Sequence, residues 1–154
     1  MLIEGDKRGV PLQLLYSDEK FSVPENVYII GMMNTADRSL ALLDYALRRR
    51  FAFFEFEPAF STNGFRQYKL SKDSKKFDNL IAAIEKLNIA IENDETLGRG
   101  FRIGHSYFCT ECDVDDMWLN AVITYEIIPL LNEYWFDEPS KVRDWEYALR
   151  EAIR

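Results

Sequence analysis

Two stretches of this sequence carry residue types that can act on an anionic substrate. In the first, the apolar run Val27-Tyr28-Ile29-Ile30-Gly31-Met32-Met33 stops abruptly at Asn34-Thr35-Ala36-Asp37-Arg38-Ser39. In open α/β sheets ligands sit at the carboxyl ends of strands, so a polar tip after a fully apolar strand is a functional edge. The Asn34 amide offers both a donor and an acceptor, which suits orienting a water against a terminal phosphate. The same tip has a second use, because Asp37 or Ser39 can accept the free backbone N–H groups of a helix starting near Leu40. Arg48-Arg49-Arg50 follow at the far end of that helical stretch. One arginine there complements the negative end of the helix dipole. Three adjacent guanidinium groups point in different directions and repel one another, which favours anionic partners such as phosphates or carboxylates.

The second stretch is Leu97-Gly98-Arg99-Gly100-Phe101-Arg102-Ile103-Gly104-His105-Ser106-Tyr107-Phe108. It is not a dinucleotide fingerprint, since its third glycine falls one place late and no strand precedes it. Gly100 and Gly104 can serve as turns, with His105 packed against aromatic rings. His105, Cys109 and Cys112 also form His-x3-Cys-x2-Cys, with Asp113 or Asp115 available as a fourth zinc ligand. Structural zinc sites usually draw a second ligand pair from another segment, and the sequence offers none, so no metal is expected.

The elements that must position these residues divide near Pro58 to Gly64. Ahead of that point, Leu12 to Tyr16 and Lys20 to Val23 flank Ser17-Asp18-Glu19 as a hairpin would. Val27 to Met33 has the pattern of a strand covered on both faces in a parallel sheet, Leu40 to Arg50 has helical spacing, and Phe51 to Phe56 is a second strand stopped by Pro58. Beyond a loop rich in Ser, Asn and Gly, the sequence turns helical. Asp78 to Glu92 places Leu80, Ile84, Leu87 and Ile91 on one face. Asp113 to Phe136 repeats the pattern through Met117, Ala121, Tyr125, Ile128, Leu131 and Trp135, with Pro129 expected to kink or divide it. Asp137 is the expected cap of a final helix striped by Val142, Trp145 and Leu149.

With 154 residues, 47% of them hydrophobic and 14% aromatic, the chain can bury a sizeable core. A net charge of −7 argues against a chain whose main surface is a nucleic-acid footprint. No apolar run approaches the roughly 20 residues of a membrane span, and the first residues lack the pattern of a signal peptide, so the expected location is cytoplasmic. The two cysteines are read as reduced.

The run Val23-Pro24-Glu25-Asn26-Val27 through Met33-Asn34-Thr35-Ala36-Asp37-Arg38-Ser39, continued by Leu43-Asp44-Tyr45-Ala46-Leu47-Arg48-Arg49-Arg50-Phe51, closely resembles the McrB family of AAA+ proteins, the GTP-hydrolysing motor subunits of modified-cytosine-specific restriction systems. Gly100-Phe101-x-Ile103-Gly104-His105-Ser106-Tyr107-Phe108 resembles the same family, in the helical lid behind the nucleotide. Leu2-Ile3-Glu4 with Asp6-Lys7-Arg8 resembles the segment just downstream of the Walker B strand and its helix in that family.

The resemblance implies an α/β fold, the C-terminal part of an AAA+ P-loop core over residues 1–60, followed by an all-α helical lid over 61–154, mainly helical overall. It implies that Asn34 is a sensor-1 residue beside the γ-phosphate. Arg49 and Arg50 correspond to the arginine-finger region, which reaches the nucleotide of a neighbouring subunit in a homo-oligomeric ring. Thr35, Asp37, Arg38 and Asp44 belong to the charged network around that site, which in the family also senses a McrC-like endonuclease subunit. Arg102, His105 or Ser106 would approach the nucleotide as a sensor-2 contact.

A phosphate-binding loop needs Gly, four residues, then Gly-Lys-Ser or Gly-Lys-Thr, and none of glycines 5, 9, 31, 64, 98, 100 or 104 begins one. Nor does an apolar strand end in Asp-Glu to hold magnesium. The chain by itself is therefore expected not to hydrolyse GTP or ATP: a nucleoside triphosphate with magnesium would need a missing N-terminal half, and DNA would be held by other domains. The alternative is a non-catalytic interaction module derived from such a motor.

Overall fold

The structure, a computed structural model, describes residues 2–33 and 48–154. The chain forms two compact units, Met1–Glu55 and Phe56–Arg154.

In the first unit a short hairpin forms where the sequence places one. Strands β1 (Leu12–Gln13) and β2 (Lys20–Phe21) pair antiparallel, with Leu12 opposite Phe21 and Gln13 opposite Lys20. Asp18 takes the left-handed conformation that the turn requires (φ 53°), and its carboxylate accepts from the Gln13 side-chain amide at 3.0 Å. Among the described residues this is the whole of the β structure. Val27 to Met33 and Phe51 to Phe56 carry no ladder, against the expectation of a parallel sheet. The apolar side chains of the first run face solvent, with Tyr28 90%, Ile30 92% and Met32 97% exposed. The physical reason is that a strand apolar on both faces needs neighbours on both edges and layers on both sides. A two-residue hairpin supplies neither.

The second unit is a helical bundle with a continuous core. Helix α1 (Asn63–Lys72) begins at Thr62, whose hydroxyl accepts from the Phe65 N–H at 3.3 Å, and ends at Asp73 in the left-handed region. From the sequence this stretch is expected to be a loop, rich in Ser, Asn and Gly. The correction comes from the N-cap at Thr62 and from two aromatics three apart, Phe65 and Tyr68, that turn inward.

Helix α2 (Lys75–Glu92) is capped by Ser74, and Leu80, Ile84, Leu87 and Ile91 are all 0% exposed, as the periodicity predicts. Next come α3 (Asp116–Ala121), capped by Asp115, a π-helical turn over Val122–Ile127, and α4 (Ile128–Tyr134). Pro129 lacks the N–H that would bond one turn back, and its ring crowds the carbonyl there, so the widened turn lies just ahead of it. The turn also changes which residues are buried. Met117 and Tyr125, expected in the stripe, are 79% and 75% exposed, while Leu119, Ile123 and Ile127 fill the core.

Helix α5 (Pro139–Ala152) packs against α2 and α4 through Val142 and Leu149, with Trp145 half-buried beside them. Its N-cap position is Glu138, which makes no capping hydrogen bond, so Asp137 does not cap it as expected. Pro139 explains why the missing cap is tolerated, since proline in the first turn removes one of the donors a cap would satisfy. No helix among the described residues is long and apolar enough to cross a membrane.

Candidate functional site

The loop from Leu97 to Cys112, between α2 and α3, is fixed from three sides. It opens at Gly98, whose φ of +89° disfavours any side chain, and passes through a 3-10 turn at Arg99–Phe101. Ile103, 1% exposed, is gripped by Asn88 of α2: the Asn88 amide donates to the Ile103 carbonyl at 3.0 Å and accepts the Ile103 N–H at 2.6 Å. A second 3-10 turn spans His105–Phe108. There the His105 ring meets Phe60 and Phe65 edge-on, at centroid separations of 6.4 and 6.0 Å, and its Nδ1 accepts the Ala59 N–H at 3.1 Å. An accepting Nδ1 leaves the ring proton of the neutral imidazole on Nε2. At the far end the Tyr68 hydroxyl accepts the Thr110 N–H at 2.8 Å and lies 3.2 Å from the Phe108 and Thr110 carbonyls, to which it can donate. Burial raises the Tyr68 hydroxyl pKa, so it stays protonated and able to donate.

Arg102 lies in this loop with its side chain 14% exposed. Its Nε donates to the Arg99 carbonyl at 3.2 Å, and its two terminal nitrogens lie 3.5 Å from Glu57 and 3.6 Å from Glu92. Arg99 shares both carboxylates, at 2.9 Å from Glu57 and 3.0 Å from Glu92. Four charges therefore cancel within one cluster. Ser106 is exposed next to His105, and its carbonyl accepts the Cys109 N–H. The fold thus brings Arg102, His105 and Ser106 onto one fixed loop.

The Cys109 thiol donates to the His105 carbonyl, Cys109 and Cys112 are exposed free thiols, and no metal-competent group of three exists among the described residues.

In the first unit, Arg48 and Arg49 are exposed, while the Arg50 Nε donates to Glu4. Arg49 and Arg50 line a shallow cleft with Ile3, Glu4 and Gly5. Asn34, Thr35, Asp37, Arg38 and Asp44 lie outside the described residues.

Sequence reasoning misses Asn88, Tyr68, Glu57, Glu92 and Arg99. For Asn88 a signal exists, since it interrupts the inward stripe between Ile84 and Ile91. For Glu57 none does, because one glutamate among 26 acidic residues is unmarked until its partners are seen.

A family model described as "McrB, alpha-helical lid domain" matches residues 79–143, from within α2 to the first turns of α5. The "Type IV methyl-directed restriction enzyme EcoKMcrB subunit" of Escherichia coli (strain K12) is 51% identical over 163 aligned positions, covering 97% of this chain. The chain belongs to the McrB family. It spans 35% of the length of that relative, about a third. In this McrB-family chain the bundle that holds Arg102, His105 and Ser106 contains the matched lid domain.

Proposed function

We propose that this chain is the sensor and lid portion of an AAA+ nucleoside triphosphatase that drives a methyl-directed restriction system. The observation that carries the reading is the 51% identity, over nearly the whole chain, to a subunit named as a restriction enzyme. In this reading residues 1–60 complete an α/β core whose remaining strands come from outside this sequence, and Asn34 orients the attacking water. Arg49 and Arg50 reach the nucleotide of a neighbouring subunit in a ring, where a guanidinium neutralises charge developing on the transferred phosphoryl group. Thr35, Asp37, Arg38 and Asp44 form the charged surround and the contact to a McrC-like endonuclease subunit. The loop bearing Arg102, His105 and Ser106 closes over the nucleotide, GTP or ATP with magnesium.

The physical support is that the loop is held before any ligand arrives. Asn88 and Tyr68 fix its backbone at Ile103 and Thr110, while the Ala59 N–H holds the His105 ring, and a preorganised polar loop loses little conformational freedom when it meets a charged ligand.

The test is a chain extended upstream through a phosphate-binding loop, assayed for GTP and ATP hydrolysis beside its Asn34→Ala and Arg49→Ala variants. Loss of turnover on the order of 10³-fold or more is expected for Arg49→Ala, the scale of arginine fingers, with a clear loss also for Asn34→Ala. Unchanged turnover in both overturns the assignment.

A further inference from the structure

The cluster of Arg99, Arg102, Glu57 and Glu92 is asymmetric. Glu92 sits at the C-terminal end of α2 and gives each of its two oxygens to a different arginine, Oε1 to Arg99 and Oε2 to Arg102. Glu57 offers a single oxygen, Oε1, to both guanidinium groups, and its side chain is 54% exposed against 37% for Glu92. Glu57 also comes from a segment with no regular secondary structure, between Arg50 and the buried Phe60. It is therefore the partner that can leave. A solvated ion pair of this kind is weak, because water and salt compete for both charges.

We propose that Glu57 is an internal competitor for the Arg99 and Arg102 guanidinium groups, occupying them until a polyphosphate displaces it. This rests on the reading of the loop as a nucleotide contact and adds a regulatory element to it. Arg102 pairs with Glu57, Glu92 and the Arg99 carbonyl. A phosphate oxygen can take the Glu57 position while Glu92 continues to orient the pair. Guanidinium groups bind phosphate and carboxylate in the same forked geometry, so the exchange needs no rebuilding of the site.

The experiment is calorimetric titration of the chain with inorganic triphosphate, comparing wild type with Glu57→Gln, Glu57→Ala and Arg102→Gln, with thermal melting to confirm that each is folded. Removing a competitor should tighten binding in both Glu57 variants by about two- to fivefold, the scale of one exposed ion pair, while Arg102→Gln should abolish it. A purely structural role for Glu57 gives the opposite sign, since arginines that lose their support bind more weakly. Weaker or unchanged binding in folded Glu57 variants overturns the proposal, and so does absence of triphosphate binding by every variant. If the hydrolysis test succeeds while Glu57→Gln leaves triphosphate affinity unchanged, the motor reading stands and the competitor falls. If Glu57→Gln tightens binding but hydrolysis is insensitive to Asn34 and Arg49, the loop is an anion site outside that motor chemistry.

Discussion

Asn88 and Ile103 exchange two hydrogen bonds, side-chain amide to backbone, across the boundary between a helix and the loop it supports. Asn88 is a buried polar side chain, and it satisfies both backbone groups of a residue that is itself buried. Asn88→Leu keeps the branched shape but strands the Ile103 N–H and C=O, at a cost of about 2–4 kcal/mol. Asn88→Asp should be at least as damaging, because a second carboxylate oxygen would then face the Ile103 carbonyl. Urea denaturation of both variants checks this, and an Asn88→Asp variant as stable as wild type would refute the paired geometry.

Asp94 gathers a second network at the end of α2. Its carboxylate accepts from the Lys141 ammonium at 2.6 Å, from the Trp135 indole at 2.8 Å, and from the backbone and hydroxyl of Thr96. The Lys141 hydrogen bond, followed by those from Thr96, holds the Asp94 carboxyl well below the usual carboxylate range. Burial alone would lower the Lys141 pKa, but its bond to Asp94 and the charges of Asp94 and Glu138 raise it.

Asp94, being depressed, contributes stability that is present above the ordinary carboxylate value of about 4 and is lost as pH falls below it. Lys141, being raised, contributes stability present below its unfolded value of about 10.4 and lost as pH climbs through its folded value. Asp94→Ala should cost about 3 kcal/mol at neutral pH, and the gap to wild type should narrow as pH is taken below 4. Parallel melting curves from pH 7 to pH 2 would reveal this, and a constant gap would contradict it.

His105 fixes the entry of the second unit by accepting the Ala59 N–H. Replacing it by Phe preserves the edge-on contacts to Phe60 and Phe65 but removes the acceptor. The expected loss is about 1–2 kcal/mol, with faster hydrogen exchange at the Ala59 amide. Unaltered Ala59 exchange would show that the amide is satisfied in another way.

Thr62 closes the first turn of α1 with its hydroxyl. Thr62→Ala should therefore destabilise the bundle by about 1 kcal/mol, and Thr62→Ser by much less, as for other hydroxyl caps. Equal losses for the two would point to the methyl group rather than the hydrogen bond.

The parts of this fold that sequence reveals are those dictated by a single helical period. The stripe Leu80, Ile84, Leu87, Ile91 needs no partner to be recognised, and it is buried in full. Helix α1 is hidden because its Asn-Gly start mimics a turn and its inward face rests on only two aromatics. The stripe through Met117 and Tyr125 fails because a π-helical turn breaks the period it assumes. Both apolar runs of the first unit look like strands because composition registers what a segment prefers, whereas a ladder depends on neighbours elsewhere in space. In the candidate site, Arg102, His105 and Ser106 are visible as an unusual glycine-punctuated run. Glu57 and Tyr68 are not, since each acts on residues about 40 positions away.

The widened turn at Val122–Ile127 has an effect on the tolerance of this region to changes in length. A π turn holds one residue more than the α turn it replaces, so it acts as a phase slip between the helical stretches on either side. Deleting one residue within it would draw the turn tight while leaving Leu119 ahead of it and Leu131 behind it facing the same interior. A deletion inside uninterrupted helix, as in α2, would instead rotate everything downstream by about 100° and turn its apolar stripe toward water.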